Sequence, residues 1–367
     1  MKSPLFRFLL VAAISGTSGI AAPFLAVGDG AELFVTGSLG VRSDDNIFLG
    51  STEVDDVIID FDPGLDLTFG NNALLQGSLT LVERFSSYAD NSSLNTNLFS
   101  GNLNAQYDDG KLKLQFNLGH NELNQNSPDI RGLTRRDVST LGGGAEIAIS
   151  QKTRLSGGFD YRHEDYKRTG YTDSDSTTVP LTLYYEFTPK IDLSLGYRYR
   201  EYQVSIGSDS KDHFVSVGAR GEFTPKLSGK FAIGVNNRDL ATGRDISNLG
   251  LDSSFTYSIT PKTSIDVYAS NDFGTTPQGQ QQRNFRLGGN LTINPSEEWN
   301  FNVGLSYRGI NYGTRTDDYV EGQIGGTYVV NAMFRVIGGF SHRKNSSDLS
   351  FNEFSNNVFT VGVNLRY

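Results

Sequence analysis

Pairs of alternating segments, folded about a Thr-Pro-Lys turn, recur along this chain and constrain its fold more than any other feature. In the stretch LTLYYEFTPKIDLSLGYRYR, residues 181–200, apolar and polar side chains alternate on both sides of Pro189. Alternation with a period of two is typical of β-strands with one apolar and one polar face. The turn recurs at Pro225 and Pro261, and Pro295 closes the series, at spacings of 36, 36 and 34 residues. The sequence therefore predicts an array of β-hairpins.

The composition favours a membrane barrel over a helical membrane protein. Only 37% of the 367 residues are hydrophobic, the mean hydropathy is −0.34, and no later segment has 18 consecutive apolar residues. Barrels have such values because half of each strand faces lipid and half faces water. The repeat runs through nearly the whole chain, so we expect one barrel domain at residues 31–367. The net charge of −9 argues against nucleic acid as a partner, and the lack of cysteine excludes disulfides and thiolate chemistry.

The N-terminus has the layout of a secretory signal peptide, which we predict at residues 1–22. Lys2 and Arg7 precede an apolar run at residues 8–14, and small residues follow as far as Ala22. The apolar run is too short to cross a bilayer as a helix. A retained amphipathic segment is the alternative.

Turn signals predict the number of strands. Short turns fall near residues 71, 109, 151, 189, 225, 261, 295 and 331. Longer polar segments lie between them, at residues 43–54, 87–94, 125–135, 167–173, 207–211, 241–244, 274–280, 313–317 and 344–349. Eight short turns and nine longer loops give eighteen strands. We therefore predict an all-β fold, a closed antiparallel up-and-down transmembrane β-barrel of about 18 strands in the outer membrane of a Gram-negative-type bacterium, with both mature termini periplasmic.

The last strand alternates strictly and ends on an aromatic residue. Its apolar side chains are Phe359, Val361, Val363, Leu365 and Tyr367. Such strands resemble the C-terminal assembly signal of outer-membrane barrels, and the resemblance implies recognition by the barrel-insertion machinery. The alternative is the edge strand of a soluble sandwich, but a soluble sheet of eighteen antiparallel strands would leave long edges that aggregate.

The two faces of the predicted strands differ in composition. We expect apolar side chains such as Phe231, Val235 and Leu305 to face lipid, and tyrosines such as Tyr185 and Tyr257 to form an interfacial girdle near strand ends. Eighteen strands leave an aqueous lumen rather than a packed core. The expected function is therefore passage rather than catalysis.

Eight arginines occupy the polar positions of the alternating pattern in their strands and are the candidate lumen-lining residues. They are Arg154, Arg162, Arg198, Arg200, Arg220, Arg286, Arg308 and Arg335. A basic strip on the inner wall could contact an anionic solute. Acidic residues such as Asp192 and Glu222 share this face, and the alternative is that these charges pair across strands and stiffen the wall. We therefore expect a weakly selective lumen.

The sequence contains no arrangement that favours catalysis or a metal site. The four histidines are His120, His163, His213 and His342. They lie on separate strands or strand ends, and no serine or aspartate stands at a hydrolase spacing. At Asp44-Asp45-Asn46 and at Asp173 and Asp175, solvated turn carboxylates are more expected than a calcium site. We predict no enzymatic activity, no cofactor and no metal.

Three segments resemble the Putative beta-barrel porin 2 family. They are Ser43-Asp44-Asp45-Asn46-Ile47-Phe48, the Phe-Thr-Pro-Lys turns at 187–190 and 223–226, and the strand Gly196-Tyr197-Arg198-Tyr199-Arg200. The resemblance covers nearly the whole mature chain. The family includes barrels encoded with exopolysaccharide synthesis and export systems, so the resemblance implies an outer-membrane pore that is the exit conduit for a secreted exopolysaccharide or capsular polysaccharide.

Two alternatives to the polysaccharide exit stay open. One is a general diffusion porin for small polar solutes, and the other is a structural or assembly barrel whose lumen is plugged by loops or by residues 23–30. The expected partners are outer-membrane lipid, lipopolysaccharide and the barrel-insertion machinery. For the exporter they also include the polysaccharide and periplasmic export components.

Overall fold

The chain forms one sheet of nineteen antiparallel strands within residues 23–27, 30–71 and 73–367, which this computed structural model describes. The predicted signal peptide at residues 1–22 lies outside them. The strands are β1 (Leu25–Val27), β2 (Ala31–Asp44), β3 (Asp56–Phe69), β4 (Leu75–Tyr88), β5 (Thr96–Asp108), β6 (Leu112–Ser127), β7 (Ile130–Ala148), β8 (Thr153–Tyr166), β9 (Ser174–Thr188), β10 (Ile191–Val204), β11 (Ser210–Thr224), β12 (Leu227–Leu240), β13 (Asp245–Thr260), β14 (Thr263–Thr275), β15 (Gln281–Ile293), β16 (Trp299–Asn311), β17 (Thr316–Val329), β18 (Phe334–Ser347) and β19 (Phe354–Arg366). Short 3₁₀ turns occur at Ser92–Leu94 and Ser350–Asn352. Among the described residues, no helix is both long and apolar enough to cross a bilayer.

Strands β2 to β19 close into a ring. Each pairs antiparallel with its neighbours in the chain, and β19 returns to β2 through pairs from Val358↔Asp44 to Arg366↔Thr36. Closure gives each wall strand two partners and removes the open sheet edge, as a barrel in lipid requires. The eighteen-stranded up-and-down barrel predicted from the turn signals is confirmed.

The extra strand β1 lengthens the wall at its rim. It pairs with Ala31, Glu32 and Leu33 of β2. These residues lie just beyond the end of β19, whose last backbone hydrogen bonds join Tyr367 to Val35. Residues 25–27 therefore continue the row of pairs that β19 begins, and they are not the plug of the lumen that the sequence allowed for residues 23–30.

The Thr-Pro-Lys turns are tight because the threonine hydroxyl satisfies backbone donors of the turn. Thr188 Oγ1 accepts hydrogen bonds from the N–H groups of Lys190 and Ile191 at 3.3 and 3.1 Å. Thr224 accepts from the N–H groups of Lys226 and Leu227 in the same way, and Thr260 accepts from that of Lys262. The strand register shifts beside each turn, and such bulges increase the local twist of a hairpin. The repeated tripeptide thus gives these three hairpins similar turns.

Two segments predicted as loops, residues 344–349 and 125–135, are mostly strand. In the first, β18 runs to Ser347. The second is the longer. Strand β6 runs to Ser127 and β7 begins at Ile130, which leaves only two residues as the turn. Side chains on both faces of this segment are mostly polar. Hydrophobic alternation therefore cannot reveal these strand ends.

Apolar side chains of the wall face outward. The exposed large side chains include most of the expected lipid-facing set: Phe231, Ile233, Val235, Leu249, Phe285, Leu287, Trp299, Phe301, Val303 and Leu305. Tyr185, Tyr197, Tyr257, Tyr328 and Tyr367 are exposed with them. A small buried apolar cluster of Ile47, Ile58 and Tyr88 lies at the loop end of β2 to β4. The wall therefore presents an apolar exterior and leaves its inner face to polar groups.

Candidate functional site

Ion pairs between strands that are not neighbours identify the inner face of the wall. Arg198 Nη2 lies 2.8 Å from Asp272 Oδ2, although β10 and β14 are four places apart in the ring. Four strand spacings measure about 19 Å along a flat sheet, so the intervening wall must curve before these side chains can meet. Arg220 of β11 reaches Glu146 of β7 over the same number of strands. Both pairs lie on the concave face, inside the barrel.

A buried charge cluster joins β10, β11, β12 and β14 on this inner face. The side chains of Arg238 and Asp212 are 1% and 2% exposed, and two hydrogen bonds of 2.6 and 2.8 Å link them. Arg200 contacts both Asp212 and Asp272, and Asn236 donates to Asp272 at 2.6 Å. A buried ion pair loses hydration, and further hydrogen bonds are needed to offset that loss. This cluster supplies them and fixes the curvature of the wall.

A second charge cluster lies nearer the short turns. Arg220 binds Glu146 through two nitrogens at 2.7 and 2.9 Å and Asp192 at 3.0 Å. Its guanidinium carbon lies 3.5 Å from the centre of the Tyr184 ring, a cation–π contact. Arg154 approaches Glu146 at 3.8 Å. The positive and negative charges of these groups balance one another, so this cluster is better suited to stabilise the wall than to bind a solute.

The ends of β6 and β7 form a hairpin that crosses the lumen, and we call residues 123–136 the bridging hairpin. Its turn residue Asp129 pairs with Arg308 Nη1 at 2.7 Å and accepts a hydrogen bond from the Tyr312 hydroxyl at 2.9 Å. Arg308 lies on β16, nine places from β7 in a ring of eighteen, so the contact joins opposite walls. Burial raises the pKa of the Tyr312 phenol and the Asp129 carboxylate raises it further, so the hydroxyl stays protonated and donates.

The bridging hairpin has a second anchor beside β2. Leu133 packs against the buried cluster of Ile47, Ile58 and Tyr88. Asn126 Nδ2 donates to the backbone carbonyl of Ile47. The hairpin is therefore held at its tip by charge and hydrogen bonding, and along its length by apolar packing.

Two cavities of the lumen share the bridging hairpin as a wall. One has a volume of about 550 Å³ and lies beside β8, β10, β14 and β15; we call it the arginine cavity. Its charged lining consists of Arg136, Arg162, Arg198, Arg200, Arg286 and Arg308 against Asp129, Glu164, Asp252 and Asp272. The other, of about 890 Å³, lies beside β2 to β5 and has four arginines against five acidic residues. Of the two, the arginine cavity has the excess of positive charge.

The eight arginines predicted to line the lumen fall into three groups. Arg162, Arg198, Arg200, Arg286 and Arg308 line the arginine cavity. Arg154 and Arg220 belong to the second charge cluster, and Arg335 is exposed near the short-turn end of β18. Six of the eight pair with a carboxylate. Most of these arginines thus pair, and a role for them in solute passage stays a prediction.

Sequence reasoning missed Asp129, Arg136 and Arg238. Asp129 lies in the segment predicted as a loop, residues 125–135, and Arg136 directly follows that segment. Arg238 lies on the same face of β12 as Asn236. Extending the alternating pattern to the end of that strand would have identified Arg238 as an inward-facing residue. No such signal exists for the contact of Asp129, because its partner is 179 residues away along the chain and nine strands away in space.

The acidic turn clusters bind protein groups. Asp45 accepts hydrogen bonds from the backbone and side chain of Asn357 at 2.7 and 2.6 Å, and Asp44 accepts one from Asn356 at 2.6 Å. Asp175 accepts from Tyr161 and contacts His163 at 2.9 Å. The part of the chain that the structure describes has no group of three or more His, Cys, Asp or Glu residues placed to hold a metal ion.

The predicted assembly signal lies on the strand that closes the ring and at its end. Phe359, Val361, Val363 and Tyr367 are exposed, and Leu365 is half-buried. Their outward position is compatible with lipid contact. Recognition by the insertion machinery stays a prediction.

Comparison with known proteins places this barrel among porins. The family model described as Putative beta-barrel porin 2 matches residues 127–223 and 208–367. No curated protein matches the chain. Similar solved structures from Pseudomonas aeruginosa include the outer membrane protein OpdK (11% identity, TM-score 0.47, 92% of this chain and 99% of that chain). They also include OccK2 (OpdF) in complex with glucuronate (10%, 0.49, 92% and 98%) and OpdQ (13%, 0.49, 93% and 100%).

Proposed function

Since this chain belongs to the Putative beta-barrel porin 2 family, we propose that it is an outer-membrane pore for the diffusion of small polar solutes. Porins are channels rather than enzymes, and an apolar exterior around a polar lumen suits that role. The observation that carries the proposal is the bridging hairpin, which contributes to the walls of two cavities of about 550 and 890 Å³. Protein cavities that hold small molecules have volumes of about 300–1,000 Å³.

The orientation follows from the rule for bacterial outer-membrane barrels, in which short turns face the periplasm. We place the eight short turns and both mature termini there. In that orientation the bridging hairpin extends from the extracellular end of β6 and β7. Export by the signal peptide at residues 1–22 and assembly through the β19 residues are parts of the same proposal.

The polysaccharide exit implied by the family resemblance is the second candidate, and a plugged barrel is the third. A polymer needs a continuous path for many sugar units at once. The contact of Asp129 with Arg308 and Tyr312 places the hairpin tip across that path. A polymer would therefore require the tip to leave the opposite wall, whereas small solutes could pass around it. This difference favours the diffusion pore.

Planar-bilayer recordings and liposome swelling separate the three functions. We expect refolded protein to form discrete ion channels, and swelling rates to fall steeply from monosaccharides to tetrasaccharides. Heat-denatured protein is the control for leakage. Absence of conductance would indicate a plugged barrel, and ready passage of large oligosaccharides with block by an acidic polysaccharide would indicate the exporter.

A further inference from the structure

Arg286 is one of the six arginines that line the arginine cavity. It lies on β15 with an exposed side chain, and within the described residues no hydrogen bond or ion pair reaches it. Each of the other five arginines of this cavity donates to a carboxylate or a hydroxyl. Arg286 therefore has donors free for a ligand.

No acidic residue stands directly opposite Arg286 on the two neighbouring strands. Arg286 stands directly opposite Arg308 in the register of β15 and β16, and like charges in opposed positions destabilise an antiparallel pair. Arg308 is compensated by Asp129 at 2.7 Å and by Asn284, which accepts two further hydrogen bonds from it. Asp272, the nearest carboxylate on β14 in this register, is bound by two other arginines. An anion beside Arg286 would relieve this repulsion.

Neutral polar groups lie beside Arg286 on β14 and β15, and the acidic Asp252 stands one strand further, on β13. The neutral groups are Ser270 of β14, directly opposite Arg286, and Asn284, two residues before it on β15. Both line the arginine cavity. Hydroxyl and amide groups beside a cation can hold an anion in place without cancelling the attraction.

We propose that Arg286 is the anion-binding residue of the arginine cavity and that its ligand is a small oxyanion, a carboxylate or a phosphate. The guanidinium offers a planar fork of donors that matches both groups through paired hydrogen bonds. The cavity of about 550 Å³ suits a small molecule rather than a polymer. This inference rests on the proposed function, because a solute reaches Arg286 only through an open barrel.

Reversal potentials in a KCl gradient test the charge of this residue. For Arg286→Gln we expect the chloride-to-potassium permeability ratio to fall about two- to fivefold, the effect of one partly screened charge a few ångströms from the ion path. Arg286→Lys keeps the charge and should keep the ratio. Arg244→Gln removes an exposed arginine in the loop between β12 and β13, outside the cavity, and is the matched control. Heat-modifiable mobility on gels verifies that each variant is a folded barrel.

Binding is tested by block of the chloride current with succinate and with inorganic phosphate. We expect one or both to reduce the current of the wild type and of Arg244→Gln, and to lose this effect on Arg286→Gln. The anion that blocks identifies the carboxylate or the phosphate as the ligand group.

A second measurement uses the absence of cysteine from the chain. In a Ser270→Cys protein, a negatively charged thiol reagent should react faster than a positively charged one, and adding Arg286→Gln should abolish the difference. If Arg286→Gln conducts and matches the wild type in selectivity, block and thiol reactivity, the inference is overturned and the proposed function stands. Absence of conductance in every protein would overturn both.

Discussion

Asp129 and Arg308 form an ion pair of 2.7 Å between a hairpin turn and the opposite wall of the barrel. Their side chains are 14% and 17% exposed, and Tyr312 adds a hydrogen bond to the same carboxylate. The position of the tip of the bridging hairpin therefore depends on this one carboxylate. Passage of solutes past the bridging hairpin should respond to changes at this contact more than to changes elsewhere in the wall.

We expect Asp129→Asn to loosen the bridging hairpin. The amide has the shape of the carboxylate but lacks its charge, and hydrogen bonds to charged groups contribute about 1.5–3 kcal/mol. Single-channel recordings should show higher mean conductance and more frequent transitions between conductance levels than in the wild type.

Asp245→Asn is the control for the loss of one negative charge near the loop end of the barrel. Asp245 is exposed at the start of β13. This variant should conduct like the wild type. Equal conductance and equal noise in Asp129→Asn would show that the tip contact does not limit passage.

We expect Arg238→Met to destabilise the barrel strongly. The substitution leaves Asp212 buried with one arginine fewer, and removal of one partner of a buried pair costs about 3–5 kcal/mol. Arg84→Met breaks a pair whose arginine is 56% exposed, and such exposed pairs contribute about 0–1 kcal/mol. Urea unfolding followed by heat-modifiable mobility should give a far lower midpoint for the first variant. Similar midpoints would mean that the buried cluster does not stabilise the wall.

We expect Leu305→Lys to impair membrane insertion, whereas Ser306→Lys should be tolerated. Leu305 is 64% exposed in the middle of β16, and a lysine facing lipid at mid-bilayer costs about 2–4 kcal/mol. Ser306 is the next residue and faces the opposite side of the strand. The measurement is the yield of folded barrel in lipid vesicles. Equal yields would contradict the assignment of the two faces.

We expect the turn carboxylate of Asp109 to stabilise the barrel in a pH-dependent way. The backbone N–H groups of Leu112 and Lys111 donate to it at 2.7 and 2.9 Å and lower the pKa of Asp109. A lowered pKa means that the stabilisation is complete above the unfolded-state pKa and is lost as the pH falls through the folded-state pKa. The advantage of the wild type over Asp109→Asn in urea should therefore shrink below the ordinary value of 3.8. A stability difference between wild type and Asp109→Asn that is constant down to pH 2 would show that it does not come from the ionised carboxylate.

The ring of strands was predictable because its determinants are local. Alternation reports which face of a strand meets lipid, and turn residues report where a strand ends. Pro189, Pro225 and Pro261 mark three hairpin ends at the predicted places. In an up-and-down barrel each strand pairs with its chain neighbours, so a correct list of turns already gives the topology.

The interior of the barrel was less predictable because its contacts are long-range and polar. Arg198 and Asp272 meet only because the wall between β10 and β14 curves. Leu133 has the same residue type as lipid-facing leucines but packs inside, against Ile47. The alternation of polar and apolar residues predicts that Arg286 and Arg308 share a face. It does not predict that, of the two, Arg308 forms an ion pair with a carboxylate.

In this barrel, different features set the circumference of the wall and the aperture of the pore. The number of strands sets the circumference, whereas the reach of a single hairpin sets the usable aperture. Substitutions confined to residues 123–136 could thus widen or narrow the aperture while every register in the wall is kept. Permeability in such a barrel can diverge during evolution without any change of scaffold.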